Sequence, residues 1–240
     1  MVILINEVIV LSIHDFEKPS LTTDIVLLRV FEIASDNIRR NSDVELQVLM
    51  VKRDEEPCKN KYSLPGGFVD IDEDIAVNVR RKLFTKTGVE GDFYIEQLFT
   101  WGDIDRDERG RVVSVSYLGL CNYQNYSVVK KVENSKWLNV KAVLDGEYGE
   151  LAFDHKKIIE YALERIKGKI EYTDIAFNLL PEKFTMAECK AVYELILNKN
   201  LLNFQRSVSE YVVPLEEMQT GKQFRPARLF KLNKDRKSKF

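Results

Sequence analysis

Cysteine and histidine are scarce in this chain of 240 residues, which has three of the first and two of the second. Cys58, Cys121 and Cys189 lie far apart, form no CxxC pair and are odd in number. A disulfide framework and a zinc site are therefore not expected, and a reducing cytoplasm is the natural compartment. His14 and His155 are isolated, so neither suggests a catalytic or metal site, and a surface or helix-start role is the default for both. Long apolar runs are also missing. The opening MVILINEVIVLSIHD is interrupted by Asn6 and Glu7 and has no basic residue before it. It is too short to span a bilayer and has no cleavage-site pattern. It reads as a β-strand or a packing arm, and no membrane partner is expected.

Hydrophobic residues make up 45% and charged residues 31% of the chain, a composition that packs a globular core rather than staying disordered. The length suits one large domain or two modest ones. The net charge of −2 hides an asymmetry. Residues 1–150 hold 19 Lys and Arg against 26 Asp and Glu, whereas residues 151–240 hold 17 against 12. From Lys222 onward the only acidic residue is Asp235. An acidic first part joined to a basic second part suits a sensor coupled to a nucleic-acid reader, although a basic tail also serves solubility.

In the first part, Thr23–Phe31 and Glu45–Lys52 are β-rich runs around a polar turn region at Asp36–Asp43. Tyr62–Val69 carries a Pro-Gly-Gly turn, and Asp70–Asp74 is acidic. Asp74–Thr87 reads as a helix with Ile75, Val79 and Leu83 on one face. Asp72 or Glu73 would cap its start and Gly88 its end. Strands follow at Phe93–Trp101, Val112–Asn122 and Lys136–Asn139. This order predicts an α+β sandwich rather than a regular parallel sheet.

Leu64-Pro65-Gly66-Gly67-Phe68-Val69 resembles the entry to a Nudix box. Gly67 is followed after five residues by Glu73, and after seven more by Arg81-Lys82-Leu83-Phe84-Thr85-Lys86-Thr87-Gly88-Val89. The glycines, the first glutamate, the arginine and the apolar positions keep the register of that box, which implies a Nudix fold. The three glutamates with which Nudix hydrolases hold divalent metal are replaced by Lys82, Thr85 and Lys86. Hard cations need clustered carboxylate oxygens, so no metal site and no hydrolysis are expected. The nucleotide pocket would persist through Gly66, Gly67 and Phe68, with Arg81 in the helix behind them. Lys82 or Lys86 would supply positive charge near a pyrophosphate, or else lie on a solvated helix face.

Asp103–Arg111 joins two strands and looks like the corresponding loop of ADP-ribose-binding Nudix proteins and of Nudix-related transcriptional regulators of NAD metabolism. Its Arg106, Arg109 and Arg111, together with Arg53 before the glycine turn, either grip phosphate bidentately or pair with neighbouring aspartates. Trp101 or Phe99 either stacks on a base or fills core.

Residues 140–153 read as a connector containing Gly146 and Gly149. A helix follows with Ile158, Ile159, Ala162, Leu163 and Ile166 on one face, Asp154 as its cap and Gly168 at its end. Thr173 opens a short helix that closes before Pro181. Thr185-Met186-Ala187-Glu188 is a capping box for a helix to about Asn198, with Asn200 as its left-handed end. Asn203 would cap Phe204–Tyr211, whose Gln205, Arg206, Ser207 and Ser209 face outward. Val212–Leu215 and Ala227–Leu232 would pair as a wing, with Lys222, Arg225 and Arg228 on or beside it. Helix, turn, polar-faced helix and wing form the geometry that reads a major groove. The order of Tyr172-Thr173, Leu179-Leu180-Pro181, Phe184-Thr185, Asn203-Phe204 and Arg225-Pro226-Ala227 is similar to the C-terminal part of the same regulators.

The resemblance covers about Thr23 to Leu232. It implies a Nudix-like effector-binding domain at residues 1–150 and a winged helix-turn-helix domain at 151–240. It further implies a homodimer on a palindromic double-stranded operator, repression of NAD synthesis or salvage genes, and control by ADP-ribose or a related adenine nucleotide with no cofactor required. The residues left open for DNA are Thr173, Thr185, Asn203, Gln205, Arg206, Ser207, Ser209, Lys222, Arg225 and Arg228. An alternative is a hydrolase of ADP-ribose or another nucleoside diphosphate that uses Glu96, Asp103 or Asp105. A nucleotide sensor that docks a protein partner is a third reading.

Overall fold

A computed structural model describes residues 16–33, 43–219 and 226–235. Its spine is β1 (Ser20–Ile33), in which Ile25, Val26, Leu27 and Leu28 are all fully buried. A strand covered on both faces needs a continuous apolar run rather than alternation. β2 (Asp43–Lys52), β3 (Tyr62–Ser63) and β4 (Gly66–Phe68) follow, then helix α1 (Ile75–Thr87). Next come β5 (Val89–Gly91), β6 (Tyr94–Trp101), β7 (Val112–Cys121), β8 (Tyr126–Val128) and β9 (Ser135–Asn139). A seven-stranded sheet has the order β3-β2-β1-β7-β6, with β4 also on β1 and β9 also on β2. β1 and β7 run parallel from Ser20↔Val112 to Arg29↔Cys121, and the other pairs in this sheet are antiparallel. β5 and β8 form a separate pair.

The period of two along β1 sends its side chains into two cores. Ile25 and Leu27 join Leu49, Val115 and Tyr117 beneath Val79 and Leu83 of α1. Val26 and Leu28 join Val48, Met50, Leu118 and Leu120 beneath Ile158, Ile159, Ala162 and Ile166 of a helix on the other face. Helix, sheet and helix thus make the α/β/α sandwich expected of a Nudix fold. Two glycines are required by their surroundings. Gly66 sits where β4 crosses β1, and a Cβ there would lie 2.2 Å from the Thr23 carbonyl oxygen. Gly88 ends α1 in the left-handed region at φ 71°, its N–H donating to the Phe84 carbonyl at 2.7 Å.

The predicted connector contains a short helix, α2 (Val140–Leu144), capped by the Asn139 side chain on the Ala142 N–H. α3 (His155–Lys169) runs on through Gly168, which the sequence marked as its end. A 3₁₀ turn at Ile175–Leu179 follows, then β10 (Phe184–Thr185), α4 (Met186–Leu197) and α5 (Phe204–Ser207). β11 (Val212–Gln219) and β12 (Ala227–Leu232) pair antiparallel as the expected wing, and β10 adds to β12. The apolar core below the sheet continues through α3 into Phe177, Phe184, Val192, Tyr193, Phe204 and Phe230. The Asn122 side chain at the end of β7 ties the two parts by donating to the Leu180 carbonyl at 2.8 Å.

Several expected caps differ. Asp74, not Asp72 or Glu73, takes the N-cap position of α1, without a side-chain bond, and the Glu73 carboxylate is instead held by Arg81 and Asn78. Asp154 precedes α3 but gives its carboxylate to Arg106. The Thr185–Glu188 capping box forms as read, and Asn198 rather than Asn200 takes the left-handed end of α4. Asn203 lies in the left-handed region at φ 55° and makes no side-chain cap. α5 stops at Ser207 instead of reaching Tyr211. The Ser207 and Ser209 hydroxyls donate to the Phe204 and Arg206 carbonyls, competing with helical continuation.

Candidate effector cleft and nucleic-acid interface

A cleft of about 380 Å³ opens over β4, between α1 and the segment leading into α3. α1 contributes Lys82, Thr85 and Lys86, β4 contributes Gly66, Gly67 and Phe68, and the turn after β2 contributes Arg53, Asp54 and Glu55. The loop before β7 contributes Arg106, Asp107 and Arg109, and the entry to α3 contributes Phe153 and His155.

Two kinds of contact organise it. One is a buried charge network. Arg106 makes a bidentate pair with Asp154 at 3.0 and 2.8 Å and lies 3.7 Å from Asp24. Asp24 also accepts from the Ser114 hydroxyl at 2.6 Å. His155 is 4% exposed. Its Nδ1 accepts the Leu64 N–H at 2.8 Å, which leaves the ring proton on Nε2, 3.5 Å from the Asp24 carboxylate. Burial lowers the His155 pKa below its usual value, against the pull of Asp24. The other contact is a chain of rings and guanidiniums. The Arg109 Cζ lies 4.9 Å from the centre of the Phe68 ring and 5.5 Å from that of Phe153, and the Arg53 Cζ lies 5.0 Å from Phe153. Phe153 holds φ at 53°, an uncommon backbone state for an aromatic residue. Such strain persists where the surroundings impose it.

Arg53, Gly66, Gly67, Phe68, Lys86, Arg106 and Arg109 come together in this cleft. Three expected members do not. Arg81 turns away to clamp Glu73 at 2.6 and 2.5 Å and Asp70 at 2.6 Å. That clamp holds the Glu73 carboxyl down at about 2. Trp101 is 5% exposed and buried against Tyr161 of α3, its Nε1 donating to Ser116 at 2.8 Å. Its ring is core, not a stacking platform. Arg111 is exposed and donates to the Gly102 carbonyl at 2.6 Å. Arg109 does meet its neighbour Asp107, at 2.6 Å. His155, Asp24 and Phe153 were missed. Only their distant partners reveal them, and His155 is a buried polar anchor rather than a surface residue.

Glu96, Asp103 and Asp105 also lie outside the cleft lining. Glu96 pairs with Lys169 and Asp103 with Lys157. The donor set does not fit a divalent metal. Lys82, Thr85 and Lys86 hold the positions where carboxylates would be needed, and the Thr85 hydroxyl donates to its own helix at Arg81. Among the described residues, no group of three or more His, Cys, Asp or Glu is placed to hold a metal ion.

The second surface lies on the winged part. Adjoining grooves are lined by Met186, Ala187 and Lys190 of α4, by Asn203, Gln205, Arg206 and Ser209, and by Pro214, Ala227 and Arg228 of the wing. Phe204 and Val208 turn inward and are buried. Thr185 borders the groove, but it is buried and its hydroxyl serves the capping box. Ser207 bonds back to Phe204, and Thr173 bonds to the Lys169 carbonyl beside the 3₁₀ turn, away from the groove. Lys222 and Arg225 lie outside the described residues.

A NUDIX domain model matches residues 32–162, and a model of the NrtR DNA-binding winged helix domain matches residues 176–232. The chain is 34% identical over 225 residues to the ADPR responsive transcriptional repressor NtrR of Acinetobacter baylyi, covering 90% of this chain and 83% of that one. The chain belongs to the NrtR family. Shewanella oneidensis NrtR complexed with a 27mer DNA superposes with a TM-score of 0.73 at 36% identity, over 90% of this chain and 94% of that one. The NUDIX domain of the same NrtR complexed with ADP ribose matches at 38% identity and a TM-score of 0.51, over 65% of this chain and 94% of that one. The cleft residues from Val51 to His155 fall within the Nudix match. The groove residues fall within the winged-helix match. No helix among the described residues is long and apolar enough to cross a membrane.

Proposed function

We propose that this chain is a DNA-binding transcriptional repressor of NAD biosynthesis or salvage genes, controlled by ADP-ribose or a related adenine nucleotide that it binds without hydrolysing. Its Nudix-like part at 1–150 senses the effector, and its winged part at 151–240 reads a palindromic operator as a homodimer in the cytoplasm. The observation that carries this reading is the pairing of two surfaces in one chain. One is a cleft rich in cations and aromatic rings. The other is an outward polar face of Gln205, Arg206 and Ser209 beside Arg228 of the wing. Guanidiniums and ammoniums hold phosphates, and rings stack on a base. Glutamine and arginine hydrogen-bond base edges in the major groove. Kinship with an ADPR responsive repressor and with an NrtR bound to DNA supports both assignments. No cofactor is required, and the replaced box carboxylates argue against hydrolysis.

The test is a fluorescence-anisotropy titration on duplexes from upstream of NAD-metabolism genes, with and without ADP-ribose. Tight, salt-sensitive binding that ADP-ribose shifts without being consumed is the expected result. Release of AMP in the presence of magnesium would return the protein to the hydrolases. Absence of DNA binding would favour a protein partner for the second part.

A further inference from the structure

The cations that line the cleft differ in how they are held: Arg53 donates to the Pro57 carbonyl at 2.7 Å, and Lys52 lies beside it at the end of β2. Arg106 and Arg109 are committed to Asp154, Asp24 and Asp107. Arg81, behind them, is committed to Glu73 and Asp70. Lys82 and Lys86 have no carboxylate within ion-pair distance among the described residues, although both line the cleft. They stand four residues apart on α1, one turn above the other on the same face. Val79 and Leu83, each three residues before one of the lysines, are packed in the core and fix the rotation of α1, so the lysines cannot turn away together. Lys82 lies directly over Gly67. A Cβ built at that glycine would meet the Lys82 Cδ and Cε at 3.2 Å and its Nζ at 3.5 Å. The bare glycine backbone therefore leaves room for an ammonium at the floor of the cleft.

These lysines occupy two of the positions from which a Nudix hydrolase would hold divalent metal, and the metal does not fit here. Two ammonium groups supply the same formal charge as one divalent cation, and each brings three N–H donors that can meet phosphate oxygens directly. We infer that Lys82 and Lys86 stand in for the metal. They hold the pyrophosphate of the effector directly, so that effector binding in this chain is independent of divalent cations. This rests on the nucleotide-sensing reading above and specifies its chemistry.

The experiment is isothermal titration of the full chain with ADP-ribose and, separately, with inorganic pyrophosphate. Each is run in EDTA and in magnesium chloride at matched ionic strength. The variants are Lys82→Met, Lys86→Met and Lys86→Glu, whose folding is checked by thermal unfolding. Methionine keeps the apolar stem and removes the charge. Wild-type affinity is expected to be the same in both buffers. Each methionine variant should lose roughly tenfold, the size of one charge-assisted contact. Lys86→Glu should lose more in EDTA and regain part of the loss in magnesium. Wild-type affinity that collapses in EDTA would overturn the inference, as would methionine variants that bind ADP-ribose like wild type. In the second outcome nucleotide sensing survives. Pyrophosphate held through the lysines while ADP-ribose is refused would sustain the inference and overturn the adenine effector. Refusal of both probes would overturn both.

Discussion

The cleft over β4 and the winged-helix groove both present arginine and polar side chains, yet they are built in opposite ways. In the cleft the polar groups are themselves the structure. Arg106, Asp24 and His155 are buried, Asp154 is partly so, and together they hold one another and the backbone in place. In the groove, apolar residues such as Phe204, Val208 and Tyr211 carry the packing, and Gln205, Arg206 and Ser209 are left in solvent. A buried polar group must be satisfied at all times, whereas an exposed one is free to meet a partner later. Changes in the buried network of the cleft should therefore disturb fold and function together, and changes on the groove face should disturb function alone.

The strongest test of that contrast is Arg106→Ala, which leaves the buried Asp24 and the partly buried Asp154 without their cation. Urea denaturation should show a loss of about 3–5 kcal/mol. A loss below about 1 kcal/mol would mean that the cleft is no more structural than the groove. Arg206→Ala should weaken operator binding by about 1–3 kcal/mol in anisotropy titrations while unfolding at nearly the same urea concentration.

The pH response sharpens the same contrast. Burial lowers the His155 pKa below 6.5 in the folded state, so the unfolded chain binds the proton first. The His155 contribution is complete above pH 6.5 and declines as pH falls below it, by at most about 1.4 kcal/mol per pH unit. Urea melts from pH 7 to 5 should lose this slope in His155→Gln. Thr185→Ala removes the capping box and should cost about 1 kcal/mol of stability, with operator affinity unchanged in the folded protein. Trp101→Phe is the mildest. It should leave ADP-ribose affinity unchanged by calorimetry, because Trp101 packs on α3 rather than in the cleft.

Much of the architecture was legible from pattern alone. The apolar runs of β1 and β7, the helix ending at Gly88 and the Thr185–Glu188 box each depend on residues close in the chain. The short α5 was not legible, because two serine hydroxyls compete with the helix at positions that also suit an outward polar face. Arg81 and Trp101 were misplaced for a similar reason. The motif puts Arg81 near the cleft, but Glu73 and Asp70 draw its guanidinium away. Indole at position 101 suits a core as well as a stack.

By itself the sequence determined the Nudix frame, the loss of carboxylates at positions 82, 85 and 86, and the winged-helix order. Residue identity at fixed spacing is enough for these. Tertiary structure alone decided which cations of the cleft are paired and which rings line it. It also decided that His155 is an anchor. Those outcomes depend on partners far along the chain: Arg106 reaches Asp154 across 48 residues, and His155 reaches the Leu64 N–H across 91. Pairing removes a charge from the ligand's reach, and burial decides whether an imidazole stays neutral. Both are properties of the neighbours that folding brings together.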